Sequence, residues 1–180
     1  MVAFDFTGKV VLITGATGAL GQVVARQFHA AGATLALCAR DETELNQRFA
    51  DLALDPQHLL VGGIDLREPD DCDRLARAVQ ERFGRLDALV NTVGGFTAGP
   101  PVHETPLDDW DAMLAMNLRT AFLVSRAIVP LLIRSGGGAI IHVSGRAGLT
   151  GFAGGAGSVS YTHLRAHETP EHLVCRLLLE

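Results

Sequence analysis

Val10-Val11-Leu12-Ile13-Thr14-Gly15-Ala16-Thr17-Gly18-Ala19-Leu20-Gly21 decides the fold. A short apolar run breaks into a glycine turn, and a helical pattern begins at once. A strand buried on both faces reads as continuously apolar, whereas one buried on a single face alternates. Lys9 to Ile13 is therefore expected as a strand inside a parallel sheet. The turn after it, with Thr14, Gly15, Thr17, Gly18, Leu20 and Gly21, sits where a dinucleotide fingerprint sits, between a strand and a helix. Glycines let the backbone turn tightly and approach a pyrophosphate. The helix behind them offers unpaired N–H groups and the positive end of its dipole. Without a ligand the same turn merely reverses the chain; its strand–turn–helix setting favours the nucleotide reading.

Outward from this turn the pattern repeats. Ala19 to Ala31 has helical periodicity through Leu20, Val23, Val24, Gln27 and Phe28, and stops at Gly32. Thr34 to Cys38 reads as a second strand. Asp41 caps an amphipathic helix through Glu44, Leu45 and Phe49. Leu59 to Gly62 is a third strand, followed by Asp65-Leu66. Pro69 opens a helix with Cys72, Leu75, Ala76, Val79 and Phe83 on one face. Ala88 to Asn91 is a fourth strand, followed by Gly94-Gly95. A long helical region from Pro106 or Leu107 to about Ser135 carries Asn117, with a kink expected at Pro130. Ala139 to Val143 is a fifth strand, delivering Ser144. Strands alternating with helices imply an α/β fold: a Rossmann-type doubly wound parallel sheet in three α/β/α layers. Ligands bind such sheets beyond the carboxyl ends of the strands, so the residues after each strand are the site candidates.

Bulk properties narrow the partners. The chain has 180 residues and 48% apolar content, enough for one domain with a substantial core. A net charge of −5 does not favour nucleic acid or an anionic membrane. No basic and apolar leader is visible at Met1, and no uninterrupted apolar run approaches the roughly 20 residues of a membrane span. Cys38, Cys72 and Cys175 lack metal-ligand spacing and read as reduced thiols, so the expected location is cytoplasmic and no metal is expected.

Together these segments resemble the short-chain dehydrogenase/reductase family over about residues 5–157. Thr14 to Gly21 is similar to its cofactor loop, with Gly at 18 and Ala at 19 departing from the commonest form. Asp65-Leu66 matches the acidic pair that contacts adenine in the family. Asn91-Thr92-Val93-Gly94 stands at its Asn-Asn-Ala-Gly motif, with two positions changed. Asn117 matches the helix asparagine of the active-site tetrad, and Ile140 to Gly145 the strand that delivers the catalytic serine. The resemblance thus implies Asn117 and Ser144 as catalytic residues. It implies Thr14, Gly15, Thr17, Gly18, Leu20, Gly21, Arg40, Asp65, Leu66, Asn91 and Gly94 as cofactor-binding residues. Ala39-Arg40 ends the second strand where an acid would suit the ribose 2′-OH of NAD; an Arg suits the 2′-phosphate, so NADP(H) is favoured over NAD(H). The implied function is hydride transfer between the nicotinamide and a small ketone or alcohol substrate, in a whole protein that is a homo-oligomer.

The resemblance weakens towards the C-terminus. The family places a second serine where Gly145 stands, and it needs a tyrosine followed four residues later by a lysine. Here Tyr161 is followed by Arg165, which cannot be deprotonated and has a different donor geometry. Residues 159–169 and 172–180 resemble a translated sequencing adapter. The expected organisation is an incomplete dinucleotide-binding domain over 1–157, truncated at its C-terminus, and a non-native tail over 158–180. On that reading the chain as written is inactive and marginally stable. Two rivals remain open: a non-catalytic dinucleotide-binding module, and an epimerase or dehydratase of the extended branch, which shares the Gly15-x-x-Gly18-x-x-Gly21 spacing. In the tail, His163, His167, His172 and Cys175 form a rival metal-site reading.

Overall fold

The computed structural model describes residues 4–96 and 99–143. Five strands are β1 (Val10–Thr14), β2 (Thr34–Cys38), β3 (Leu59–Val61), β4 (Ala88–Asn91) and β5 (Ala139–His142). Between them run α1 (Ala19–Ala30), α2 (Glu42–Arg48), α3 (Ala50–Ala53), α4 (Pro69–Phe83), α5 (Leu107–Leu114) and α6 (Thr120–Arg134). All strand pairs are parallel, in the order β3-β2-β1-β4-β5. The sheet grows from β1 to one side through β2 and β3, then to the other through β4 and β5. The carboxyl ends of β1 and β4 therefore flank the crevice where such sheets hold ligands.

The unbroken apolar sequence of β1 has its expected cause. Successive side chains alternate between faces, and both faces are covered. Val10 and Leu12 join Leu75 and Val79 of α4 and Val124 and Ile128 of α6 in one core. Val11 and Ile13 join Ala25 of α1, Leu45 of α2 and Phe49 in the other. This is the three-layer doubly wound arrangement. Strand limits move by a residue: β1 ends at Thr14, β3 at Val61 and β5 at His142.

Three helices differ from the sequence reading. On α1, Val23 is exposed, whereas Val24 and Phe28 pack half-buried against the core and Gly21 and Ala25 are buried; at Gly21 the helix lies so close to the glycine turn that no side chain fits. Asp41 caps α2 as expected, its Oδ1 accepting from Glu44 N–H at 2.8 Å. The helix then breaks at the buried Phe49 before the short α3. The long helical run is interrupted at a π-turn, Ala115–Arg119, and α6 continues through Pro130 to Arg134. Leu107–Arg134 is long and apolar enough, by length and composition, to cross a membrane. Packing accounts for part of that composition: Leu123, Val124, Ile128, Leu131 and Leu132 are buried in the sheet-facing core.

Candidate functional site

Gly15 turns the chain at φ +65°, and a Cβ there would meet Thr92 Oγ1 and Val93 Cγ2 at 3.0 Å. The loop after β1 and the loop after β4 touch at this point. Thr92 fastens them further, its hydroxyl donating to the Thr14 carbonyl at 2.7 Å. Gly18 N–H donates to Gly15 O at 2.9 Å and tightens the turn. A Cβ at Gly21 would lie 2.2 Å from Gly15 O, so α1 rests directly on the loop. Its first turn has no side-chain cap and no acid. The N–H groups that every helix leaves unpaired at its start, and the positive end of its dipole, thus stay uncompensated where an anion would sit.

Above this turn lies a cleft of about 300 Å³. Gly15, Thr17 and Gly18 form one side, Ala39 and Arg40 a second, Asp65 and Leu66 a third, and Gly94 the fourth. Arg40 is exposed, and no hydrogen bond or ion pair holds it among the described residues. Two acids also line the cleft, Asp41 and Glu44. Both are engaged: Asp41 caps α2, and Glu44 Oε1 accepts from Arg48 Nε at 2.8 Å.

A polar chain crosses the sheet behind the cleft. The hydroxyl of Thr14 donates to Asn91 Oδ1 at 2.5 Å, and Asn91 Nδ2 lies 3.3 Å from His142 Nδ1. His142 Nε2 lies 3.1 Å from Ser125 Oγ, whose proton goes to the Ala121 carbonyl at 2.7 Å. These directions suit a neutral imidazole protonated at Nε2, with Nδ1 accepting from Asn91. His142 retains exposed surface, yet its ring is sufficiently desolvated that burial lowers its pKa. Thr14 and Asn91 are buried. They brace β1 against β4 and do not line the cleft.

Asn117 also acts from behind. It sits buried in the π-turn. Its Oδ1 accepts from Gly95 N–H at 2.8 Å, and its Nδ2 donates to Gly95 O at 3.0 Å. Both ends of the amide hold the backbone of the loop after β4. Met116 of the turn and Thr120, the first residue of α6, also reach the cleft. Neither was singled out from the sequence, because no residue pattern marks an i→i+5 turn in advance.

Asp65 is fixed at its backbone, its N–H donating to Asp71 Oδ2 at 2.8 Å. Its carboxylate is forked by Arg67, whose Nη2 reaches Oδ2 at 2.5 Å and whose Nε reaches Oδ1 at 3.0 Å. The Arg67 guanidinium holds the Asp65 carboxyl down at about 2. Arg67 lines the cleft as well; its place directly after Asp65-Leu66 was the available signal. Cys38 reaches the cleft wall but is buried, and burial pushes its thiol up to about 12. It is no nucleophile near neutrality.

The structure therefore brings Gly15, Thr17, Gly18, Arg40, Asp65, Leu66 and Gly94 to one cleft. It places Thr14, Gly21, Asn91 and Asn117 as supports, with Leu20 half-buried on the first turn of α1. Ser144, Tyr161, Arg165 and the tail histidines lie outside the described residues. No cluster of three metal-ligating side chains occurs among the described residues.

The short chain dehydrogenase family model matches residues 9–162, a match that runs past residue 157 to Tyr161 and Thr162. The chain is 37% identical over 146 residues to the short chain dehydrogenase pigC of Monascus ruber, covering 78% of this chain and 48% of that protein. It is 34% identical over 148 residues to D-threitol dehydrogenase of Mycolicibacterium smegmatis, covering 81% of this chain and 56% of that protein. The chain spans about half the length of these curated relatives. The crystal structure of a short-chain dehydrogenase/reductase, glucose/ribitol dehydrogenase, from Brucella melitensis matches with a TM-score of 0.80 at 26% identity. That match covers 90% of this chain and 67% of the other. The cradle of Gly15 and Gly21, the crevice between β1 and β4 and the loop held by Asn117 thus occur in a chain that belongs to the short chain dehydrogenase family.

Proposed function

We propose that the whole protein is an oxidoreductase that prefers NADP(H) and interconverts a ketone and an alcohol. The observation that carries the cofactor preference is the end of β2. Arg40 faces the cleft without a hydrogen-bonding or ion-pair partner among the described residues, while both neighbouring acids are engaged elsewhere. A free carboxylate at this place would serve the 2′-OH of NAD; an uncommitted guanidinium serves a 2′-phosphate.

The residues present fit a dinucleotide. Gly15 and Gly21 leave room that a Cβ would fill, and the uncapped start of α1 faces the same cradle. Thr17, Gly18 and Leu20 would hold the pyrophosphate. Asp65 and Leu66 would hold the adenine, and Gly94, with Asn91 behind it, the nicotinamide side. The nicotinamide supplies or accepts the hydride when bound. Asn117 positions the loop over that end of the cleft, and Ser144 would hold the substrate oxygen. The proton-transfer pair of the family has no counterpart in this chain: Tyr161 falls in the stretch read as a non-native tail, and Arg165 stands where a lysine would lower a tyrosine's pKa. That substitution favours a second reading for the 180-residue chain itself: cofactor binding without turnover. The buried free thiols Cys38 and Cys72 suit a cytoplasmic location.

Titration of nicotinamide fluorescence with NADPH and NADH tests the reading. NADPH is expected to bind at least about tenfold more tightly, the scale of a hydrogen bond to a charged group. Arg40→Ala should remove that preference by weakening NADPH while leaving NADH nearly unchanged. Tighter NADH binding by the unaltered chain would sink the NADP(H) assignment. Carbonyl reduction assayed on the same sample separates an active enzyme from a binding module.

A further inference from the structure

We propose that Arg67 competes with the adenine amino group for the Asp65 carboxylate and so sets nucleotide affinity on the adenine side of the cleft. The proposal rests on Asp65 being the adenine contact. A carboxylate offers about four acceptor positions. Oδ1 of Asp65 already accepts from the Arg67 backbone N–H and from Nε, both at 3.0 Å. Oδ2 accepts from Nε at 3.1 Å and from Nη2 at 2.5 Å. One arginine thus engages both oxygens.

The two partners differ in freedom. The Asp65 backbone is tied to Asp71, and Arg74 holds Asp71 in turn at 3.0 Å. The Arg67 carbonyl accepts from Arg119 Nε at 3.0 Å. The backbone on both sides of the pair is thus anchored, at Asp65 from α4 and at Arg67 from the π-turn, and the Arg67 backbone N–H steadies Oδ1 of the carboxylate. The Arg67 side chain is 43% exposed, and among the described residues the hydrogen bonds of its guanidinium go to Asp65 alone. An adenine amino group that takes an Asp65 oxygen displaces a side chain that is free to turn into solvent. A partly exposed ion pair of this kind is worth little, so the displacement tunes affinity without blocking the site.

The test uses the full chain, three probes (5′-AMP, NADH and NADPH) and isothermal titration. Arg67→Gln should tighten all three together by about two- to fivefold, the range that a surface ion pair spans. The NADPH-to-NADH ratio should stay fixed, because the 2′-phosphate is Arg40's ligand. Unchanged or weaker AMP binding by R67Q overturns the competition. So does a loss confined to NADPH, which would make Arg67 a phosphate contact. Arg67→Lys, which keeps the charge but not the fork, should tighten AMP in the same direction if the glutamine variant fails to fold. Asp65→Asn separates the two layers. If it leaves AMP binding unchanged, Asp65 is not the adenine contact and the competition falls with it. If it weakens AMP binding while R67Q does not tighten it, only the competition falls.

Discussion

His58 is a titratable side chain that the sheet uses as a backbone cap. Its Nδ1 accepts from Leu35 N–H at 3.0 Å at the start of β2, and its ring packs edge-on against His29 at 5.1 Å. Burial pushes its pKa below the ordinary 6.5, against the opposing pull of Asp55. The unfolded chain then binds more protons than the folded one between the depressed value and about 6.5. Stability is complete above that window and is lost as pH falls through it, because Nδ1 cannot accept once protonated. His58→Gln keeps an acceptor but does not titrate. Urea unfolding at pH 7.5 and 5.5 should therefore show a larger loss on acidification in the unaltered chain than in H58Q; equal losses would remove His58 as the cause. His142, also depressed by burial, is common to both proteins and cancels. At this scale the sequence was readable where a place in the cleft follows from position along the chain. Arg40 lies two residues past the end of β2, and Asp65 lies beyond the end of β3. It was silent where the role depends on a distant partner. His142 meets Asn91 from another strand and Ser125 from α6, and no local pattern joins them.

Among elements, the strands were legible because burial on both faces leaves an unbroken apolar signature. Helix starts were legible where a capping chemistry exists, as at Asp41 and Pro69. The face of α1 was legible in part: Val24 and Phe28 pack against the core as the periodicity implies, while Val23 is exposed and the small Gly21 and Ala25 are the fully buried positions. The π-turn was not, although Asn117 hinted at it: an asparagine is unfavourable inside a helix unless its amide is used, and here it clamps Gly95. The contact of α1 with the glycine turn gives a direct test. Gly21→Ala would place a Cβ 2.2 Å from Gly15 O, forcing the helix away from the loop. Overpacking of this kind costs about 1–3 kcal/mol, and the displaced α1 start should also weaken nucleotide binding. At Gly18 the corresponding distance is 3.2 Å, so Gly18→Ala serves as the milder comparison. Thermal melts and NADPH titration of both variants should rank G21A as the more damaging in each measurement. The opposite ranking would show that α1 does not rest on the turn as closely as described.

For the whole molecule, α6 has one face buried and one exposed. Leu123, Val124, Ile128, Leu131 and Leu132 pack on the sheet, while Phe122 and Ile133 keep 57% and 62% of their surface exposed. Eleven residues separate these two, about three helical turns, so they lie on one face of the helix. Leu107, at the start of the same helical run, is also exposed. Single exposed apolar residues are ordinary on protein surfaces; an aligned pair on one rigid helix is what a self-complementary two-fold contact uses, since symmetry doubles each side chain's contribution. We therefore expect this helix to pair with a second copy. Light scattering of the purified chain at micromolar concentration should give a mass of at least a dimer. Phe122→Glu combined with Ile133→Glu should shift it to the monomer, because two like charges would face their own copies across the axis. Substitutions at exposed positions usually change stability by no more than about 0.5 kcal/mol. The melting temperature extrapolated to low concentration, where both proteins are dissociated, should thus be nearly unchanged, which separates lost association from lost folding. A monomeric unaltered chain, or a charged variant that keeps the same mass, would place the contact on another surface or remove it.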